Sequence, residues 1–343
     1  MLVPGERHLV YEICPEFLAC ARALFRRIQE FTLDYASGEP IAEIRRLGAQ
    51  AWHALPALFR EILSSSFAGD VLISASGYWA AFPWEALYRD DSECGWLGLH
   101  RVLPRWAPIT AAGLCRLEGS TFGRGWKVGA VICPWNAVAH KPLESARDEA
   151  DRVCAALTKL GYTLVGGGPI SGPAATKQAL SDALSRQPSI IHFTGHSEVH
   201  DKQEMLILSG RTGGGYARYG IADLRHDKEL RKSETGLLFY GPLVVLNSCY
   251  MGRTRRYGGR SEDLASELME EGAAAVIASP LPVYDPMGEL FGSSLYPGEM
   301  KTMAENFLAS RRAVEAHFAN TKPNVWPLWT LLHYYGNPYA SLP

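Results

Sequence analysis

Several protein classes are excluded by what this chain has little of. Its 343 residues carry 34 Lys and Arg against 36 Asp and Glu, a net charge of -2. A nucleic-acid binder shows a basic excess, so the balance gives no electrostatic case for DNA or RNA as a direct partner. No apolar run approaches the roughly 18 residues that mark a membrane span. The start, "MLVPGERHLVYEICPEF", has no basic region followed by an apolar stretch, so no signal peptide is expected. The seven cysteines are few, odd in number and scattered, with no CxxC pair. A reducing, cytoplasmic setting with free thiols is the expectation.

Cofactor signatures are missing too. The glycine clusters "VGGGP" (165–169) and "TGGGY" (212–216) match neither GxGxxG nor GxxxxGK[ST], and loop glycine is their ordinary reading. His192, His196 and His200 recur every fourth residue, but Ile190, Ile191 and Phe193 make the segment a strand and Gly195 would break a helix. No Glu stands in an HExxH setting, so neither metal nor cofactor is expected. We find no repeat and no low-complexity segment.

What is present is ample apolar material, 47% of residues, with 20% charged, enough to bury a core without staples. Helical spacing predicts amphipathic helices over 9–31 and 40–64. Apolar runs predict strands over 69–76, 126–135, 189–196, 242–247 and 273–279, with a short one in "YTLVGG". Helices are expected between them, clearest over Pro142 to Leu160 and again over 174–187 and 261–271. Two more are expected over 302–318 and 326–335. From 126 to 279 strands alternate with helices, and the strands are continuously apolar. That is the pattern of an α/β, mostly parallel sheet covered on both faces. A boundary is expected near 118–125, "EGSTFGRG", between an N-terminal part and the α/β part.

Sites in open α/β sheets form beyond the carboxyl ends of the strands. Two strands here run out into reactive residues: "IIHFTGH" ends at His196 and "LVVLNSC" at Cys249. Alone, a strand cysteine is a small core residue and a strand-end histidine a structural hydrogen bonder. Together, at the tips of neighbouring strands, they read as a thiol nucleophile and its base. They lie 53 residues apart with the His first, the caspase order, although the caspase sequence signature is absent. "RTRRYGGR" (253–260), with four Arg in eight residues, reads as a solvated loop.

The segments "IIHFTGHS" and "PLVVLNSCYMG" resemble the paired signature of CHAT-domain proteins, caspase-like cysteine proteases related to separase. "FPWEALYRD" with "WLGLHRVLPRW", "LESARDEADRVCAAL", "LMEEGAAAVIASPLPVYD" and "WTLLHYYGNP" resemble further family segments, so the likeness covers about 45 to 340. The resemblance implies a caspase-like sheet and three parts: an N-terminal helical extension (1–45), an N-terminal half (46–120) and a catalytic half (121–343). It implies peptide-bond hydrolysis with Cys249 as nucleophile and His196 as general base and acid, and no third catalytic residue. The backbone N–H groups of Cys249 and Ser197 would form the oxyanion hole, Ser197 standing where the family commonly has Gly.

Asn247 would line the pocket for the substrate residue before the cut. Asp285 resembles the separase acid that pairs with arginine; read from its residues alone, it is a turn residue before Pro286. Cleavage after a basic or large neutral residue of a protein substrate is the expectation, with the Arg-rich loop a candidate for self-processing. An activating partner protein or sensor module, in bacterial defence or another regulated-proteolysis pathway, is implied by resemblance only. The competing reading is a catalytically silent CHAT-fold binding or scaffold protein; a metal-dependent hydrolase is a distant third.

Overall fold

Strands that read as uninterrupted apolar runs become the centre of one sheet, because both of their faces must be covered. The computed structural model describes residues 14–33, 40–64, 73–74, 78–90, 95–106, 121–137, 141–210, 215–230, 237–251, 256–257, 260–261, 263–298, 302–321 and 332–343. The main sheet contains β1 (Ile73–Ser74), β2 (Arg105–Trp106), β3 (Val128–Cys133), β4 (Thr163–Leu164), β5 (Ile170–Ser171) and β6 (Ile190–Thr194). A separate antiparallel sheet holds β7 (Ser197–His200), β8 (Gln203–Ser209) and β9 (Tyr216–Tyr219). The main sheet is completed by β10 (Leu243–Asn247), β11 (Ala275–Ala278) and β12 (His333–Gly336).

Its order is β1-β2-β12-β11-β10-β6-β3-β4, with β5 also on β3. Every pairing is parallel except β11 with β12. All five residues of β6 and of β10 are buried. The expected mostly parallel α/β sheet is what the chain forms. The N-terminal part is continuous with it, since β1 and β2 extend the same sheet through β12.

The helices are α1 (Pro15–Leu33), α2 (Pro40–Ala54), α3 (Ala57–Ser64), α4 (Glu144–Lys159) and α5 (Lys177–Ser185). They continue with α6 (Ile221–Leu230), α7 (Leu264–Glu270), α8 (Asp285–Ser294) and α9 (Met303–Thr321). Period-2 alternation sends Leu243 and Val245 into one core with α1, α2, α4, α8 and α9, and Val244 and Leu246 into a second core with α5 and α7. In α1, Phe17, Ala21, Leu24 and Ile28 form the buried stripe. Phe17 stacks on Trp79 and Trp84 at 5.5 and 5.8 Å between ring centres.

Several elements differ from the sequence expectation. The helix expected over 40–64 is two helices, α2 and α3, divided at Leu55 and Pro56, because proline has no N–H for the helical ladder. The polar stretch 209–236 contains β9 and α6. Helix α8 was not expected, since Pro286, Gly288 and Gly292 weaken its helical signal. The helix expected over 326–335 is corrected at its end: residues 333–336 form β12, and 326–331 lie outside the described residues. In the Arg-rich segment, Arg256–Tyr257 pairs with Arg260–Ser261, while 253–255 and 258–259 lie outside the described residues. Among the described residues no helix is long and apolar enough to cross a membrane.

A buried ion pair joins the N-terminal part to the sheet. Glu85 and Arg105 meet in a two-pronged contact, Nη1 to Oε1 at 2.7 Å and Nη2 to Oε2 at 2.6 Å. Arg311 of α9 reaches Glu85 Oε1 at 3.3 Å and donates to the Leu332 carbonyl. Burial alone would raise the Glu85 carboxyl, but Arg105, with Arg311 adding to it, outweighs burial and holds it at about 2. Replacement by Glu85→Gln strands two buried guanidinium groups and is expected to cost roughly 3–5 kcal/mol in urea unfolding at pH 7. A carboxyl depressed on folding stabilises above its unfolded value and loses that contribution as pH falls toward about 2. The gap between wild type and Glu85→Gln should therefore narrow over that interval.

Candidate active site

The register of β10 against β6 places the two strand tips side by side. Val245 lies opposite His192 and Asn247 opposite Thr194. Because side chains alternate, His192, Thr194 and Asn247 share the face covered by α4. That helix turns its buried stripe, Ala146, Ala150, Val153 and Leu157, toward the sheet, and Glu149 stands within it, 1% exposed. The Glu149 carboxyl accepts from His192 Nε2 at 2.7 Å, from Thr194 Oγ1 at 2.7 Å, and from Asn247 Nδ2 at 2.8 and 2.9 Å. On its far side, His192 Nδ1 meets the Tyr296 hydroxyl at 2.9 Å. Burial holds the Tyr296 phenol well above its usual range, so it is the protonated partner.

Beyond the tips lies a small cleft of about 40 Å³, open to solvent. His196, Asn247, Ser248, Cys249 and Asp285 all line it, with Glu149, Val283, Gly288 and Glu289 among the walls. The structure thus brings His196, Cys249, Asn247 and Asp285 to one place. His192 and His200 go elsewhere, the first into the core and the second to the surface. Among the described residues no cluster of three or more His, Cys, Asp or Glu forms that would hold a metal. Cys14, Cys20, Cys133, Cys154 and Cys249 are free thiols; Cys94 and Cys115 lie outside the described residues.

His196 is oriented by backbone. Its Nε2 is 2.7 Å from the carbonyl of Lys141, and a carbonyl only accepts. Nε2 therefore carries the hydrogen in this contact, which leaves Nδ1 as the ring's other nitrogen. Lys141 sits just before α4, and the bond from Leu143 N–H to the Trp135 carbonyl, 2.9 Å, fixes that stretch. A backbone group cannot be read from side-chain chemistry, so no residue type marks this contact.

Cys249 is half-buried, and among the described residues its sulfur bonds to one residue. It accepts from Val283 N–H at 3.4 Å and lies 4.0 Å from the Val283 carbonyl. Burial pushes the thiol up from its ordinary value; the Val283 N–H opposes this, and the charge of Asp285 adds to it. The resting sulfur is thus a protonated thiol at neutral pH. The chain then turns sharply, with Tyr250 in the left-handed region at φ 60° and its N–H on the Leu281 carbonyl at 3.3 Å.

Ser197 ties the two tips together. Its hydroxyl donates to the Cys249 carbonyl, a contact that Gly could not make. Ile207 N–H donates to the His196 carbonyl at 3.0 Å, and Leu206 faces Ser197. Hydrogen-bonded and non-bonded pairs alternate in an antiparallel ladder, so the Ser197 N–H points away from β8, on the free edge of β7. Asp285 is no simple turn residue: it opens α8, with Pro286 behind it. Partial burial raises its carboxyl, and His196 and Lys141 oppose that rise.

Helix α8 approaches α4 through Gly292, while Gly288 lies against Asn247 and Val283. A Cβ on Gly292 would overlap the Glu149 carboxyl. Gly292→Ala is expected to lose about 1–3 kcal/mol despite alanine's better helix propensity, measured by thermal unfolding. Asp285→Asn removes a charge that raises the Cys249 thiol, so its alkylation by iodoacetamide at pH 7 should accelerate. The pH at which the rate is half-maximal should move down.

The CHAT-domain family model matches residues 43–332. No curated protein matches the chain in sequence. Among solved structures, it is similar to the Arg-specific cysteine proteinase gingipain R (RgpB), with 13% identity and a TM-score of 0.53 over 93% of this chain and 76% of that one. The complex of Porphyromonas gingivalis RgpB pro- and mature domains gives 13% identity and 0.54, over 93% and 77%. The Saccharomyces cerevisiae separase–securin complex gives 14% and 0.43, over 75% of this chain and 14% of that chain. At these identities the likeness is one of fold.

Proposed function

The chain belongs to the CHAT-domain family, and on that premise we propose that it is a cysteine endopeptidase with Cys249 as nucleophile and His196 as general base and acid. The observation that carries this reading is the pairing of β10 with β6, which sets both residues on one cleft while the Lys141 carbonyl holds the imidazole through Nε2. The fold likeness to a cysteine proteinase supports it.

In the proposed reaction, substrate enters the cleft and Nδ1 of His196 takes the thiol proton. The sulfur attacks the scissile carbonyl carbon, and the C=O electron pair moves to oxygen. The N–H groups of Cys249 and Ser197 receive that oxyanion. The proton on Nδ1 passes to the leaving nitrogen as the C–N bond breaks, leaving a thioester. Water, deprotonated by Nδ1, attacks the thioester, and the C–S bond breaks to return the thiol. The Lys141 carbonyl keeps the ring in place through both steps. The thiol's contacts with Val283 belong to the resting enzyme, and contacts of this kind rearrange when substrate binds.

Asn247 and Asp285 are assigned to the pocket for the residue before the cut. Asp285 at the mouth favours a basic side chain there, with large neutral residues next; the Glu289 carboxylate in the wall is already paired with Arg152 at 2.7 Å. A protein substrate is proposed, with activation by a partner protein or sensor module. The setting proposed, cytoplasmic regulated proteolysis in bacterial defence, is supported by family resemblance alone. A catalytically silent scaffold would show no selective chemistry at Cys249.

Iodoacetamide mapping separates these readings. Labelling of Cys249 should outpace every other cysteine, and His196→Ala should abolish that advantage. Uniform labelling of all seven cysteines would refute the dyad. On a peptide library, Cys249→Ala and His196→Ala should each lower kcat/KM by at least about 10³-fold, and strict cleavage after Asp would remove the pocket assignment.

A further inference from the structure

At the floor of the cleft one buried side chain is held in a fixed orientation with one end unused. Asn247 is 5% exposed. Its Nδ2 is surrounded by acceptors only: Glu149 Oε1 at 2.8 Å, Glu149 Oε2 at 2.9 Å and the Gly288 carbonyl at 2.7 Å. An amide oxygen in that position would face three oxygens, so the nitrogen end is settled by chemistry. Oδ1 must occupy the other end, and there it is buried with no hydrogen-bond partner among the described residues. The hydroxyl of the next residue, Ser248, is likewise buried and unpartnered. Both residues line the cleft. A Cβ on Gly288 would stand 3.2 Å from Oδ1, so glycine there keeps the amide uncrowded.

A buried acceptor left without a donor is costly, because it has given up its hydrogen bond to water. Resting on the peptidase reading, we infer that Asn247 Oδ1 accepts a hydrogen bond from the tip of the substrate side chain before the cut, and that Glu149 is the positioning residue presenting that oxygen. The proposal narrows specificity to side chains ending in a donor, guanidinium first, and separates two contributions. Asp285 supplies charge; Asn247, oriented by Glu149, supplies a directed acceptor that reads a neutral donor equally well. It also explains why a carboxylate is kept in the apolar stripe of α4, where Ala or Leu would pack more easily.

The test uses three peptidyl acyloxymethyl ketones differing only in the side chain that enters the cleft: arginine, its uncharged isostere citrulline, and norleucine. The rate of Cys249 modification is followed by intact mass and peptide mapping on wild type, Glu149→Gln and Asn247→Ala, each with a thermal unfolding curve. In wild type, arginine and citrulline should each react at least tenfold faster than norleucine. In both variants the citrulline-to-norleucine ratio should fall to within about threefold, a selective loss that general destabilisation does not produce. If Glu149→Gln fails to fold, Asn247→Ala carries the comparison. An unchanged ratio in a folded variant overturns the inference. Equal rates for citrulline and norleucine in wild type overturn it while leaving the peptidase reading intact. No reagent favouring Cys249 over the other cysteines overturns both.

Discussion

The parallel pairing of β10 with β6 is the constraint on which the rest depends. A slip of β10 by one residue would turn Asn247 to the opposite face, away from His192, and bring Val244 and Leu246 toward α4. The register is held by burial on both faces, since each strand must present apolar side chains to two cores at once. It is held again at the tips, where Glu149 collects hydrogen bonds from both strands. Apolar burial fixes the strand bodies and a carboxyl fixes their ends.

This arrangement divides labour along each strand. Ile190 and Leu243 belong to the core, His192 and Asn247 to the network beneath the cleft, and His196 and Cys249 to the cleft itself. His196 and Cys249 stand on short exits from buried strands, and backbone groups do much of the orienting. Lys141 holds the imidazole, Val283 contacts the sulfur, and the Cys249 carbonyl is tied by Ser197. Such groups carry no side-chain identity, so substitutions at Lys141 or Val283 can preserve them.

Much of the fold was legible because its signals are strong. Continuous apolar runs marked β3, β6, β10 and β11, and three-and-four spacing marked α4. His196 and Cys249 were legible because polar residues follow apolar strands, which only a strand tip explains. Glu149 carried a readable sign that went unused: a carboxylate three residues after Ala146 and four before Val153 lies on the buried stripe. The hairpin of β7 and β8 gave none, because its turn uses Asp201 and Lys202 at positive φ instead of an Asn-Gly pair. Helix α8 was hidden by its glycines, one of which, Gly292, its packing against α4 requires.

The sequence by itself determined that this chain builds a parallel α/β sheet and that a thiol and an imidazole stand at the ends of two of its strands. Those facts follow from local periodicity and from residue chemistry. Only the tertiary structure decided which of three histidines shares the cleft with Cys249, that Asp285 opens a helix at its mouth, and which way the Asn247 amide faces. The reason is that orientation is set by partners distant in the chain: Glu149 lies 98 residues before Asn247, and Gly288 lies 41 after it.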